Sequence, residues 1–169
     1  MSVVLAVLLC GALVGVDQLI KLLVINYLKP IQFVDVIEGI LRFRYVENTG
    51  AIFGSFATHT ALLTVFSIIL LGFTVFFLVK NKNRNKLVNL CLLFMISGGV
   101  GNIIDRIRLQ YVVDYIEPLF VNFAVFNFAD CLITVGAFTL IIYLIVDLIR
   151  DTKKSNKLPT EGLQNDTKK

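Results

Sequence analysis

Four long apolar runs constrain this chain more than any other feature. They cover about Val3 to Tyr27, Thr60 to Val79, Leu87 to Ile104 and Asp130 to Ile149, and the second carries no charge at all. At about 1.5 Å rise per residue, each is long enough as a helix to cross a hydrocarbon core of ~30 Å. Composition agrees. Of 169 residues, 57% are hydrophobic and 17% charged, and the apolar residues cluster instead of spreading as they do in a soluble domain. The length suits one domain. The expected architecture is an all-α membrane fold with a small β element: four transmembrane helices and a small extracytoplasmic sheet at the membrane face.

The same features exclude several functions. The net charge of +4 sits in short basic clusters between apolar runs, so it reads as topology and not as a nucleic-acid surface. Cys10, Cys91 and Cys131 are odd in number and all lie in apolar runs, which argues against a disulfide framework. No CxxC pair or His/Cys cluster suggests zinc. The single histidine, His59, has no neighbours suited to a Ser–His or Cys–His triad. The first run lacks a basic leader and is interrupted by Asp17 and Lys21. With Leu9 before Cys10 it also lacks a lipoprotein cleavage box, so it reads as a mature span.

The links between spans carry further structure. Ile31-Gln32-Phe33 and Leu41-Arg42-Phe43-Arg44-Tyr45 alternate apolar with polar residues, which predicts strands of a surface sheet over about residues 31–56. The link from Asp105 to Ala129 holds apolar patches and reads as a loop dipping against the membrane. Residues 1–150 form the membrane domain, and 151–169 read as a disordered basic tail. Lys80, Lys82, Arg84 and Lys86 crowd the second link without an acid, and the tail is Lys-rich. Both therefore belong inside, which puts both termini in the cytoplasm and the two long links outside.

Placed by depth, the remaining polar residues converge. Asp17 lies about 14 residues, roughly 21 Å, from the inner side, with Lys21 a turn further. Asn102, Asp105 and Arg106 end the third span, Asn127 and Asp130 begin the fourth, and Asp114 lies between them. Ionisable groups gathered at one membrane depth point to function. Asp114 and Asp130 can meet in space. Two carboxylates held close in a low dielectric share one proton, so one can serve as base and the other as acid in attacking an amide with water. Each is equally a helix cap or ion-pair partner by sequence, Asp130 especially. Gly98, Asn102 and Arg106 recur every four residues on one helix face, suited either to orienting a substrate or to helix packing with a snorkelling arginine. Asp17 and Lys21 at i, i+4 suit an ion pair. Asn48-Thr49-Gly50-Ala51 is a turn whose Asn48 amide can also bind a peptide backbone.

Taken together, five segments resemble the lipoprotein signal peptidases (signal peptidase II). They are Asp17-Gln18 with Lys21, Asn48-Thr49-Gly50-Ala51, Gly98-Gly99-Val100-Gly101-Asn102-Ile103-Ile104-Asp105-Arg106, Val112-Val113-Asp114-Tyr115-Ile116 and Phe126-Asn127-Phe128-Ala129-Asp130. Their order and spacing match, and they cover nearly the whole chain. The resemblance implies a bacterial inner-membrane aspartic endopeptidase, monomeric and without cofactor or metal, working near the outer leaflet among membrane lipids. Its substrate would be a prolipoprotein, cut just before a cysteine bearing diacylglycerol. By motif, Asp114 and Asp130 look like the catalytic dyad. Asn48, Asn102, Arg106 and Asn127 look like supporting residues, and Asp17 and Lys21 like structural or substrate-positioning members. Gln110 stands where the family usually has Gly, and Cys131 where a small hydroxyl residue is common. Two other readings stay open: a metal-dependent lipid-headgroup transferase, and a small transporter.

Overall fold

The computed structural model describes residues 2–50, 60–80 and 85–155. The chain runs α1 (Val3–Leu23), a π-helical turn (Val24–Leu28), β1 (Phe33–Ile37), β2 (Leu41–Asn48), α2 (Thr60–Lys80), α3 (Lys86–Leu109), β3 (Val112–Pro118) and α4 (Phe128–Ser155). Among the described residues, these four helices are long and apolar enough to cross a membrane. Their outer faces carry exposed Leu8, Ile69, Phe73 and Phe138. In a bilayer that exposure carries no hydrophobic penalty, since lipid is as apolar as the side chains.

α3 is the central helix, and α1, α2 and α4 all pack against it. Two glycines set how closely they approach. A Cβ at Gly98 would collide with the Ala129 carbonyl oxygen, and one at Gly101 would come within 2.5 Å of Asp17 Oδ2. Only a residue without a side chain lets the backbones of α3 and α4 approach this closely.

The sheet has order β1-β2-β3, antiparallel throughout. β1 and β2 form a hairpin pairing Phe33 with Arg44, and β2 pairs Val46 with Asp114 and Asn48 with Val112. It is anchored on the end of α1. The π turn, closed by the Lys29 N–H to the Val24 carbonyl (2.9 Å), presents Val24 and Leu28 to Tyr45, Val113 and Tyr115. Pro30 then cannot continue the helix.

The structure corrects the sequence reading in four places. α3 runs to Leu109, five residues past the expected end at Ile104, so Asp105 and Arg106 lie inside the helix. The segment after it is no mere dipping loop: Val112–Pro118 is the third strand. The first strand begins at Phe33, not Ile31, because Gln32 sits at a φ of 69°. α4 continues to Ser155, so Asp151–Ser155 are helical and not a disordered tail. No Pro or Gly occurs there to stop the helix. The expected sheet residues 51–56, His59, Lys82 and Arg84, and the tail beyond 155 lie outside the described residues.

Gln110 closes α3 in the left-handed conformation (φ 68°), its N–H bonded to the Arg106 carbonyl. That conformation strains any side chain with a Cβ, and glycine is the usual solution at a helix C-terminus. We expect Gln110→Gly to raise stability by about 1 kcal/mol, measured as a higher midpoint of thermal unfolding in detergent. An unchanged or lower midpoint would contradict the strain.

Candidate active site

The site begins with the N-terminus of α4. The first backbone N–H groups of a helix have no partner within it, and here each finds one. Phe128 N–H donates to Tyr115 Oη (3.2 Å), Ala129 N–H to Asp17 Oδ1 (3.1 Å), Asp130 N–H to Asn127 Oδ1 (3.0 Å) and Cys131 N–H to the Asn127 carbonyl (3.2 Å). Asp130 Oδ2 in turn accepts the Asn127 N–H (3.1 Å). Asn127 and Asp130 thus form a reciprocal capping box. The capping role foreseen for Asp130 is real, and it fixes the carboxylate in place.

Asp114 reaches the same spot from β3. It is 1% exposed. Its Oδ1 accepts from Asn127 Nδ2 (2.6 Å) and its Oδ2 from Asn48 Nδ2 (2.7 Å). Asp130 Oδ1 accepts from Asn102 Nδ2 (2.8 Å), and Asn102 Oδ1 accepts the second Asn127 amide hydrogen (3.2 Å). Each of the four carboxylate oxygens therefore takes a neutral amide donor, and Asn127 binds both carboxylates. Burial pushes the Asp114 carboxyl up to about 6, helped by the Asp130 charge and opposed by the bonds from Asn48 and Asn127.

Below this pair lies a second polar cluster. The Lys21 ammonium, 2% exposed, donates to Asp17 Oδ2 (3.0 Å), Asp105 Oδ2 (2.9 Å) and Asn102 Oδ1 (2.9 Å). Three N–H bonds meet three acceptors. Asp105 Oδ2 also accepts the backbone N–H of Val113 (3.1 Å), one residue before Asp114. Gln18 Nε2 lies within 3.2 Å of Asp17 Oδ2 and the Gly101 carbonyl and 3.1 Å of Asp105 Oδ1.

Arg106 differs from its neighbours. It is half-buried, faces Asp130, Asp114 and Asp105, and touches Ser67 Oγ on α2 at 3.5 Å. Among the described residues it forms no ion pair. No group of three His, Cys, Asp or Glu side chains among the described residues is placed to hold a metal ion. Lys21 already pairs with Asp17 and Asp105.

All eight residues singled out from the sequence belong to this assembly: Asp17, Lys21, Asn48, Asn102, Arg106, Asp114, Asn127 and Asp130. Sequence reasoning gave no role to Gln18, whose signal was a polar amide deep in an apolar run. It also missed Tyr115, whose hydroxyl gave no signal beside Asp114.

A sequence model of signal peptidase (SPase) II matches residues 9–146. This chain belongs to the signal peptidase II family. It is thus a multi-pass bacterial membrane peptidase. The peptidase is 38% identical to a lipoprotein signal peptidase of Streptococcus thermophilus over 133 residues, 79% of this chain and 87% of that one. It is also 38% identical to one from Streptococcus pyogenes, over 78% and 87% of the two chains. Among solved structures, a bacterial membrane enzyme crystallised in meso superposes with a TM-score of 0.78 at 28% identity, covering 94% of each chain. A second such structure gives 0.77 at 28% identity over 84% of the peptidase and 93% of that chain.

The Lys21 cluster makes a sharp energetic prediction. Lys21→Met leaves Asp17 and Asp105 buried without a counter-charge, and stability should fall by about 3–5 kcal/mol. Adding Asp17→Asn removes one bare charge and should restore part of it. Thermal unfolding of both variants in detergent checks this; a Lys21→Met protein as stable as wild type would contradict it.

Proposed function

We propose that this peptidase removes the signal peptide of prolipoproteins just before a diacylglyceryl-modified cysteine, with Asp114 and Asp130 as an aspartic dyad. One observation carries the reading: Asn127 binds both carboxylates in a buried site where only neutral amides bond directly to them. The relatives named lipoprotein signal peptidase supply the substrate class.

The chemistry follows from the two environments. Asp114 keeps its proton to higher pH than an ordinary carboxyl, so it is the acid and Asp130 the base. Asp130 takes a proton from water, and the hydroxide adds to the scissile carbonyl carbon. Asp114 gives its proton to the carbonyl oxygen, forming a gem-diol. Asp130 then passes its proton to the amide nitrogen, the C–N bond breaks, and the diol returns a proton to Asp114 as the carboxylic acid forms. Arg106, which faces both carboxylates, holds a substrate carbonyl. Exposed Phe33, Val36, Ile37, Phe120 and Phe123 on the sheet and its neighbouring loop give the diacylglyceryl chains an apolar surface. Lys80, Lys86 and Arg150 mark the opposite end as cytoplasmic, which puts the dyad near the outer leaflet.

The test is cleavage of a diacylglyceryl-modified prolipoprotein by the purified protein in detergent with a chelator present. We expect cleavage before the lipidated cysteine, reduced at least ~10³-fold in Asp114→Asn and in Asp130→Asn with unfolding midpoints retained. Full activity in either variant would remove the dyad.

Acidity gives an independent check. The productive form carries one proton on Asp114, so kcat/KM should fall as pH rises through about 6. Asn48 donates to Asp114 and thereby favours its charged form. Asn48→Ala should therefore move the falling limb to higher pH; a shift to lower pH would reverse the assignment of acid and base.

A further inference from the structure

The end of the molecule away from the carboxylates carries a cavity with no part in the chemistry above. It has a volume of about 610 Å³ and lies between α1, α2 and α3. Its walls are Val3, Ala6, Val7, Val75, Leu93 and Ile96, among other apolar side chains. From Ser2 to Cys10 the wall runs about 12 Å along α1. The volume lies within the usual range of small-molecule sites.

Its polar residues are not distributed evenly. Ser2 and Asn89 lie at one end, where α1 begins, α2 finishes and α3 begins. Asn89 is half-buried, and its amide has no hydrogen bond among the described residues. Lys80 follows the lining residue Val79, and its Nζ stands 5.5 Å from the centroid of the Phe76 ring. Lys86 precedes Asn89 by three residues, on the same face of α3. Residues 80–86 carry four basic residues and no acid. The site is an apolar slot with a cationic mouth at the membrane surface.

We propose that this groove binds one anionic phospholipid of the leaflet at the Lys80 and Lys86 end, an acyl chain in the slot and the headgroup phosphate at the two lysines. Charge decides against the other apolar occupant this protein meets, a signal peptide. Its hydrophobic segment follows a positively charged leader, which would approach the same lysines and be repelled. An anionic headgroup is attracted there instead, and anionic lipids enrich the cytoplasmic leaflet. The bound chain fills the space between α1 and α2 where both lean on α3. The inference is independent of the dyad, which lies at the other end of α3.

Native mass spectrometry of the full chain from detergent, titrated with phosphatidylglycerol or phosphatidylcholine, tests it. Wild type is expected to retain phosphatidylglycerol roughly tenfold better. Lys80→Ala with Lys86→Ala should abolish that preference but keep residual binding of both lipids. Ala6→Trp fills the slot and should remove retention of both, while prolipoprotein cleavage in detergent persists. Equal retention of the two lipids by wild type, or phosphatidylglycerol retained by Ala6→Trp as by wild type, would overturn the proposal. So would a photo-crosslinker at position 6 that captured prolipoprotein in preference to lipid, because the groove would then belong to the substrate.

Discussion

The structure depends on one buried ammonium group. Lys21 sits where water does not reach, and its three N–H bonds go to Asp17, Asp105 and Asn102. Each acceptor then holds something else. Asp17 takes the N–H of Ala129 at the start of α4, Asp105 takes the N–H of Val113 in β3, and Asn102 donates to Asp130. Every element that delivers a carboxylate to the site is therefore two bonds from Lys21. In a low dielectric such an arrangement is stable only when complete, because one lost partner strands a charge. Few residues can change independently here, and the geometry of the two aspartates is inherited from an ion pair on another helix.

The two clusters handle charge in opposite ways. Around Lys21, carboxylates face a cation and are neutralised by it. Around Asp114 and Asp130, the direct donors are Asn48, Asn102 and Asn127, all neutral. A lysine bonded there would stabilise two negative charges and drive off the proton that a dyad must share. Amide donors orient the oxygens and favour the charged form only in part, and burial outweighs them to keep a proton on Asp114. Arg106 is the cation nearest to breaking this pattern. Contacting Ser67 and forming no ion pair among the described residues, it leaves the amides as the direct partners of the two carboxylates.

Much of this was legible in the sequence, for identifiable reasons. A bilayer demands long apolar helices, so the four runs gave the spans directly, and any charge inside them stood out against a uniform background. That is why Asp17, Lys21 and Asn102 could be singled out. What stayed hidden depends on contacts distant in sequence. β3 did not read as a strand because Val112, Val113, Asp114 and Tyr115 are all buried, which erases the period-2 alternation of a half-exposed strand. α3 was cut short because Asp105 and Arg106 look like a span end until Lys21, 84 positions earlier, is seen to neutralise the aspartate. Capping does not use up Asp130, since its Oδ2 caps Asn127 while its Oδ1 meets Asn102.

The two ends of α3 are built from different forces, and that difference has a functional sense. At the sheet end, directional hydrogen bonds and ion pairs cross between α1, α3, β3 and α4, and each is specific in length and angle. Such a network tolerates one arrangement, which is what proton transfer between fixed atoms requires. At the other end Ser2, Val79 and Asn89 border an apolar slot, where contact is governed by area and not by direction. Helices held that way keep their contacts through small displacements, because no single bond fixes them. The peptidase thus joins two kinds of order along α3: fixed atoms at the sheet end, and at the other end a wall whose contacts survive small displacements.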